Sequence, residues 1–530
     1  MKSSIISVEK TIVLTAVFFT TVYNLTFFSN VLRDYPLSLE NAAFLFSLAL
    51  LLTGVFIMLL SLVCYRNTLK LVTTPLFLIT ALAAYFMDSY NVIIDVGMIR
   101  NMVMTDTNEV MDLLTVKMFG YFLLLGIAPA LLVGRLSFAN LSLKSAVIAR
   151  LKLVIPVLAI IVATIFAFSS HYASFIREHK PLRYYTNPTG YIYAVSKYVN
   201  GLFESERESA KPIAEDARIS AADTERELII FVLGETARYD RFSVNGYGRE
   251  TNPLLKRENI VSFNNVWSCG TSTADSVPCI FSVYGREDFS DAKAQSVENV
   301  LDILQNAGVS VLWRDNNSSS KGVAIRVPYE SFKSADTNPV CDSECRDEGM
   351  LDGLQAFIDK HAAGDIFIVL HQMGNHGPAY YKRYPPAFEK FKPTCKTNQL
   401  EDCSKEEIDN AYDNAILYTD FFLAKVIELL KANSKKFETA MFYISDHGES
   451  LGEGGVYLHG LPYLLSPETQ RHVPAILWFG ENNNDVNISA LRQIIGNKYS
   501  HDNLFHSILG LLEIETGVYR KEMDIVHAAE

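Results

Sequence analysis

The stretch Glu227-Leu-Ile-Ile-Phe-Val-Leu-Gly-Glu235-Thr236 decides the fold of the C-terminal part of this chain. Its apolar run, Leu228–Leu233, lies between carboxylates, is too short to cross a membrane, and is rich in β-branched and aromatic side chains. Such a run reads as a strand buried on both faces. Runs of the same kind recur at Val309–Arg314, Asp365–Leu370, Thr439–Ser445 and Pro474–Phe479, with helical stretches between them at Val297–Ala307 and Lys405–Ala432. Short apolar strands alternating with helices predict an α/β domain with a mainly parallel central sheet.

In such sheets ligands bind at the carboxyl ends of the strands. Here those ends read Gly234-Glu235-Thr236, then Arg314-Asp315-Asn316-Asn317 with Lys321 soon after, then His371-Gln-Met-Gly-Asn-His376, then Ser445-Asp446-His447-Gly448-Glu449. Four strands thus deliver polar, metal-capable or anion-capable groups to one edge. Zinc takes imidazole nitrogen and carboxylate oxygen, and Glu235, Asp446 and His447 offer such a set from two strand ends. Asp-His-Gly alone is commonly a turn. Its position after a strand, with Glu449, Glu453 and His459 following, favours metal binding.

A nucleophile is expected in Ser268-Cys-Gly-Thr-Ser-Thr-Ala-Asp-Ser-Val-Pro-Cys279. Thr271, Ser272, Thr273 and Ser276 are the candidate hydroxyls, and metal coordination would lower the pKa of whichever one reacts. A helix starting here would also present backbone amides to phosphate. Ordinary helix capping by Ser or Thr fits the same residues, and spacing alone does not choose among them. His376 and His459 suit a second metal or the substrate phosphate and its leaving group. His371 suits a supporting role behind the ligands. Asn317 and Lys321 suit neutralisation of phosphate charge.

The two halves of the chain differ in character. Residues 1–200 hold 15 basic and 9 acidic residues between long apolar runs, whereas 201–530 hold 32 basic and 50 acidic. An acidic soluble half excludes nucleic acid as a partner, since that requires Lys and Arg to displace counterions. Apolar segments at Thr11–Asn30, Ala42–Tyr65, Leu71–Ile94, Leu113–Gly134 and Leu151–Ser170 predict a five-helix transmembrane domain. Lys2, Lys10, Arg66, Lys70, Arg135, Lys144, Arg150 and Lys152 place the N-terminus inside, so five spans put the second half outside. The expected domains are residues 1–170 in the membrane, 171–226 as an interfacial helix and linker, and 227–530 as the extracytoplasmic catalytic domain. The cysteines agree with an oxidising compartment: Cys269/Cys279, Cys341/Cys345 and Cys395/Cys403 form close pairs suited to small disulfide loops. In the third loop, Asp106 and Glu109 read either as part of a solvated loop or as a ledge for a lipid amine.

These motifs together resemble a known family. Cys-Gly-Thr-Ser-Thr-Ala-Asp-Ser-Val-Pro-Cys, preceded by Gly-Glu-Thr-Ala-Arg and followed by His-Gln-Met-Gly-Asn-His-Gly-Pro-Ala-Tyr and Ser-Asp-His-Gly-Glu-Ser-Leu-Gly-Glu, is similar to the lipid A phosphoethanolamine transferases, which include the mobile colistin-resistance enzymes. The resemblance implies an alkaline-phosphatase/sulfatase-like fold in the periplasm of a multi-pass protein of the bacterial inner membrane. It implies Zn2+ held by Glu235, Thr273, Asp446 and His447, with Thr273 as the nucleophile. The group would come from phosphatidylethanolamine and pass to a phosphate of lipid A. His376 and His459 would then stand near a second zinc or the donor phosphate, and Asn317, Lys321, Asn108 and Glu109 at substrate-binding positions. A monomer working among membrane lipids is expected.

Rival readings are a transferase of the same superfamily acting on core sugar, periplasmic glycan or glycerol-phosphate polymer, and a non-catalytic membrane sensor with a metal-stabilised outer domain. A sulfatase is disfavoured. Its modified residue sits in a Cys/Ser-x-Pro-x-Arg context, whereas here Pro278 precedes Cys279 and Ile280-Phe281-Ser282 follow.

Overall fold

The computed structural model describes residues 5–105, 110–111, 113–169, 171–172, 175, 180–205, 210–221 and 223–527. The chain divides into two compact units, one of Met1–Ile99 with Leu114–Lys197, the other of Arg100–Leu113 with Tyr198–Glu530. The third-loop segment therefore groups with the second unit.

In the first unit, Asn41–Val63, Leu69–Tyr90, Val116–Gly134 and Leu143–Ala167 are long and apolar enough to cross a membrane. The first expected span is broken: Val8–Val22 and Leu25–Arg33 meet at 50°, giving five spans if the pair counts as one. The break has a chemical cause at Asn24, whose Nδ2 donates to the carbonyl oxygens of Phe19 (2.9 Å) and Asn187 (2.7 Å). The fourth span carries a π-helical turn, Phe122–Ile127, ahead of Pro129. Proline cannot donate to the carbonyl four residues back. That carbonyl, of Leu125, accepts from the Tyr23 hydroxyl instead. After the spans, Thr189–Ser205 is helical, within the segment expected to lie at the interface.

The second unit is built on a seven-stranded sheet. Its strands are β1 (Glu227–Gly234), β2 (Val261–Phe263), β3 (Ser310–Asp315), β4 (Tyr329–Ser331), β5 (Ile366–His371), β6 (Glu438–Ser445) and β7 (Ala475–Phe479). They lie in the order β2-β7-β6-β1-β5-β3-β4. The run β6-β1-β5-β3-β4 is parallel, while β7 pairs antiparallel with β6 and β2. The sheet is thus mixed, mainly parallel. Sequence reading missed the two edge strands, β2 and β4, because three residues are too few to show a period.

Every residue of β1 is buried. Ile229, Phe231 and Leu233 join the core on one face, and Leu228, Ile230 and Val232 the core on the other. This alternation explains the unbroken apolar run from which the strand was read. The long helix Lys405–Asn433 covers the second face, opened by a capping box between Ser404 and Glu407. Helices Thr273–Ile280, Val300–Asn306 and Leu504–Leu511 cover the first. Register places Gly234 beside Ser445, and His371 between Leu233 and Asp315. The four polar strand ends therefore form one row.

Candidate active site

Glu235, Asp446 and His447 converge where that row crosses β1 and β6. One ligand atom from each lies within 4.8 Å of the others, and all three are buried. Each is oriented by a specific contact. Asp446 Oδ1 accepts from the backbone N–H of Thr236 (3.1 Å) and of His447 (2.7 Å), while its buried Oδ2 has no hydrogen-bond partner. His447 Nδ1–H donates to the Gly448 carbonyl at 2.8 Å, which fixes the tautomer and leaves a lone pair on Nε2. Around that Nε2 stand Asp446 Oδ2 (3.4 Å), Glu235 Oε1 (3.5 Å) and Thr273 Oγ1 (3.4 Å). Two buried carboxylates, of Glu235 and Asp446, face each other here. A bound cation offsets such a cost. Burial pushes the His447 imidazole down to about 4 despite the Asp446 charge, so the ring is neutral at physiological pH. The donor set of carboxylate oxygen, imidazole nitrogen and hydroxyl suits a metal with an open position.

The geometry separates the four candidate hydroxyls. Thr271 Oγ1 donates to the Leu461 carbonyl (2.6 Å), Ser272 Oγ to Asp275 Oδ2 (3.1 Å), and Ser276 Oγ accepts from the Gly270 N–H (3.0 Å). Thr273 Oγ1 alone of the four reaches the cluster, at 3.0 and 3.2 Å from the Glu235 oxygens. It is the first residue of the helix Thr273–Ile280, with Ser272 as cap residue, so its hydroxyl sits at the positive end of the helix. The Cys269–Cys279 disulfide closes the segment carrying it. Cys341–Cys345 and Cys395–Cys403 are bonded as well.

The histidines form a second group beside the first. The His459 ring centroid lies 4.3 Å from that of His447 and 5.7 Å from that of His376. His459 Nδ1 is 3.3 Å from Glu449 Oε1, a fully buried carboxylate. Burial holds His376 well below the usual imidazole range, helped by the neighbouring His459 and Arg383. His371 lies behind the cluster, its Nδ1 3.0 Å from Asp315 Oδ2.

Asn317 turns inward. Its Nδ2 donates to Glu235 Oε2 (2.8 Å) and to the Gln372 carbonyl (2.7 Å), so it holds a cluster residue in place. Lys321 is buried and donates to Ser318 Oγ at 2.6 Å. Asn108 and Glu109, together with Asp106, lie outside the described residues.

Several contributors carry no local sequence signal. Asp347 collects the N–H groups of Met373 (2.8 Å) and Gly374 (3.2 Å), shaping the loop after β5. At Gly374 (φ +50) a Cβ would meet the Glu235 carbonyl oxygen at 2.9 Å, so only glycine lets this loop close on Glu235. Thr236 holds φ 50, a strained value for a β-branched residue, and is tied by the Tyr412 hydroxyl to its carbonyl (2.6 Å). His501 joins the Cys269–Cys279 segment to β6: its Nδ1 accepts from the Cys269 N–H and its Nε2–H donates to the Ser445 carbonyl, both at 3.1 Å.

A hydroxyl and a metal-capable cluster at the carboxyl edge of this sheet define a domain of the sulfatase class, and residues 227–514 match the family model described as Sulfatase. Residues 52–202 match the model described as phosphoethanolamine transferase EptA/EptB. The chain is 44% identical to phosphatidylethanolamine transferase Mcr-1 of Escherichia coli over 476 residues, 87% of this chain and 88% of that one. It is 39% identical to phosphoethanolamine transferase EptA of Salmonella typhimurium, over 95% of this chain and 93% of that one. The solved integral membrane lipooligosaccharide phosphoethanolamine transferase A of Neisseria meningitidis superposes with a TM-score of 0.95 at 32% identity, covering 99% of both chains. The chain belongs to the phosphoethanolamine transferase family. It is a multi-pass protein of the bacterial inner membrane with a periplasmic catalytic domain.

Proposed function

We propose that this enzyme moves phosphoethanolamine from phosphatidylethanolamine to a phosphate of lipid A, through a covalent intermediate on Thr273. The observation that carries this reading is the placement of Thr273 Oγ1 against both Glu235 and His447. Membership of the phosphoethanolamine transferases supports the donor and the acceptor.

Glu235, Thr273, Asp446 and His447 would hold zinc, which fits their oxygen and nitrogen donors. When bound, zinc supplies a Lewis acid that lowers the pKa of the threonine hydroxyl and offsets phosphate charge. Thr273 Oγ1 gives up its proton on the side of Glu235 and forms a bond to phosphorus. The bond from phosphorus to the diacylglycerol oxygen breaks, and that oxygen takes up a proton and leaves as diacylglycerol. In the second half, a lipid A phosphate oxygen attacks the same phosphorus and Thr273 recovers its proton. His376 and His459 stand on the side of His447 where they can bind the phosphate, carry the leaving-group proton or hold a second metal. Asn317 orients Glu235 throughout, and Lys321 offsets phosphate charge. The chain supplies this whole cluster itself, which supports action as a monomer.

Capping a lipid A phosphate with an ethanolamine ester removes negative charge and adds an amine. Cationic peptides such as polymyxins then lose attraction to the outer surface. The reading is tested by mass spectrometry of lipid A from cells expressing the chain. Added phosphoethanolamine, with reduced colistin susceptibility, is expected. Unmodified lipid A beside a well-expressed protein would sink the acceptor assignment.

A further inference from the structure

The geometry points to a second cation site at the opposite edge of the sheet, where Asp223, Glu227 and Asp365 bind a hard divalent cation of the calcium class. Glu227 opens β1 and Glu235 follows its end, so the two sites stand on the order of 25 Å apart along one strand. One carboxylate oxygen from each of the three residues lies within 4.8 Å of the others. Asp365 and Glu227 are each only 3% exposed. Asp365 Oδ1 accepts from the Glu227 N–H at 3.1 Å, but no N–H or hydroxyl group reaches its Oδ2, nor Glu227 Oε1 or Oε2, and the Glu227 carboxyl meets those of Asp365 and Asp223 instead. Three buried carboxyl oxygens thus converge with a shared proton as their only donor when no cation is bound: burial and the Asp365 carboxylate push Glu227 up to about 10.

Neighbouring charges deepen the deficit. Glu227 also lines a small cavity with Glu438, Asp485 and Glu513. Arg226, next in sequence, turns its guanidinium to the carbonyls of Gly364 (2.6 Å) and His361 (2.9 Å). His527, on the cavity wall, is engaged 2.8 Å from Asp524 Oδ2. Burying carboxylates this way is costly unless a proton or a cation joins them. Ligands that are oxygen only, several of them carboxylates able to bind through one or two oxygens, select calcium over zinc. The periplasmic compartment is open to that ion. Bound there, it would pin the start of the strand whose far end carries Glu235.

The test uses the full-length protein in detergent with its catalytic metal in place. It is dialysed against calcium chloride at about 1 mM, the weak end of extracellular calcium sites. Bound calcium is measured by elemental analysis, and thermal unfolding is followed with and without the ion. One calcium per chain and a raised Tm are expected for the wild type and for Asp446→Asn. In Glu227→Gln both effects should be lost. Asp223→Asn, at the more exposed corner, should weaken calcium binding about tenfold or more and serves if Glu227→Gln does not fold. A wild type that binds no calcium, as a proton-sharing pair would, overturns the proposal. So does binding that vanishes in Asp446→Asn, or that persists unchanged in Glu227→Gln or Asp223→Asn.

Discussion

Thr273 Oγ1 lies 3.0 Å from Glu235 Oε2, across 38 residues of sequence, and this pair joins the Cys269–Cys279 segment to the end of the central strand. If the threonine oxygen is the attacking atom, Thr273→Ala should lower transfer to lipid A by about 10³-fold or more with the fold intact. Thr273→Ser keeps the oxygen and should keep measurable activity. The check is an assay on detergent-solubilised protein with a fluorescent phosphatidylethanolamine. Equal activity in wild type and Thr273→Ala would remove Thr273 from the chemistry.

Asp446 offers the cluster an oxygen that no donor satisfies. Asp446→Asn replaces that charge by an amide and should drop bound zinc well below one per chain, together with activity. His447→Ala should do the same. Elemental analysis after exhaustive dialysis reads the result, and full zinc occupancy in Asp446→Asn would exclude it as a ligand.

The sheet edge was legible because buried strands announce themselves as apolar runs, and their ends stand out as polar interruptions. Glu235, Asp446 and His447 were found that way. The choice of hydroxyl was not legible from spacing. Thr271, Ser272, Thr273 and Ser276 crowd one helix start, and only side-chain direction separates them. The inward turn of Asn317 was also hidden, since an amide after a strand serves a ligand or a substrate equally well. The break at Asn24 was missed because the polar residue lies inside an apolar window that averages it away. Contacts such as Cys269 with His501 span 232 residues and leave no local trace.

His501 offers a pH test. It accepts the Cys269 N–H on Nδ1, which requires the neutral ring, and burial pushes its pKa down to about 4. The unfolded chain, at the ordinary imidazole value of about 6.5, binds the proton more readily, so stability rises with pH across this window. The contribution is complete above about 6.5 and is lost as pH falls toward 4. It amounts to about 3 kcal/mol, taking roughly 1.4 kcal/mol per pKa unit. His501→Asn should be less stable than wild type at pH 7, with the gap closing toward pH 4 in chemical denaturation. A gap that stays constant over this range would contradict a buried neutral His501.

The disulfides should differ in consequence. Cys269–Cys279 encloses the Thr273 segment, whereas Cys395–Cys403 precedes the helix Lys405–Asn433. Removing either bridge should cost about 2–4 kcal/mol. The double variant Cys269→Ser/Cys279→Ser should also lose transfer activity at temperatures where it remains folded, and Cys395→Ser/Cys403→Ser should not. Equal activity loss in both, measured beside circular dichroism, would argue against a positioning role for the first bridge.

The covalent intermediate tests the central claim most directly. Purified protein incubated with phosphatidylethanolamine, without acceptor, is acid-quenched, digested and analysed by tandem mass spectrometry. The account predicts a phosphoethanolamine adduct on Thr273, absent in Thr273→Ala and discharged on adding lipid A. An adduct on another residue, or transfer to lipid A with no adduct accumulating or discharging at Thr273, would contradict it.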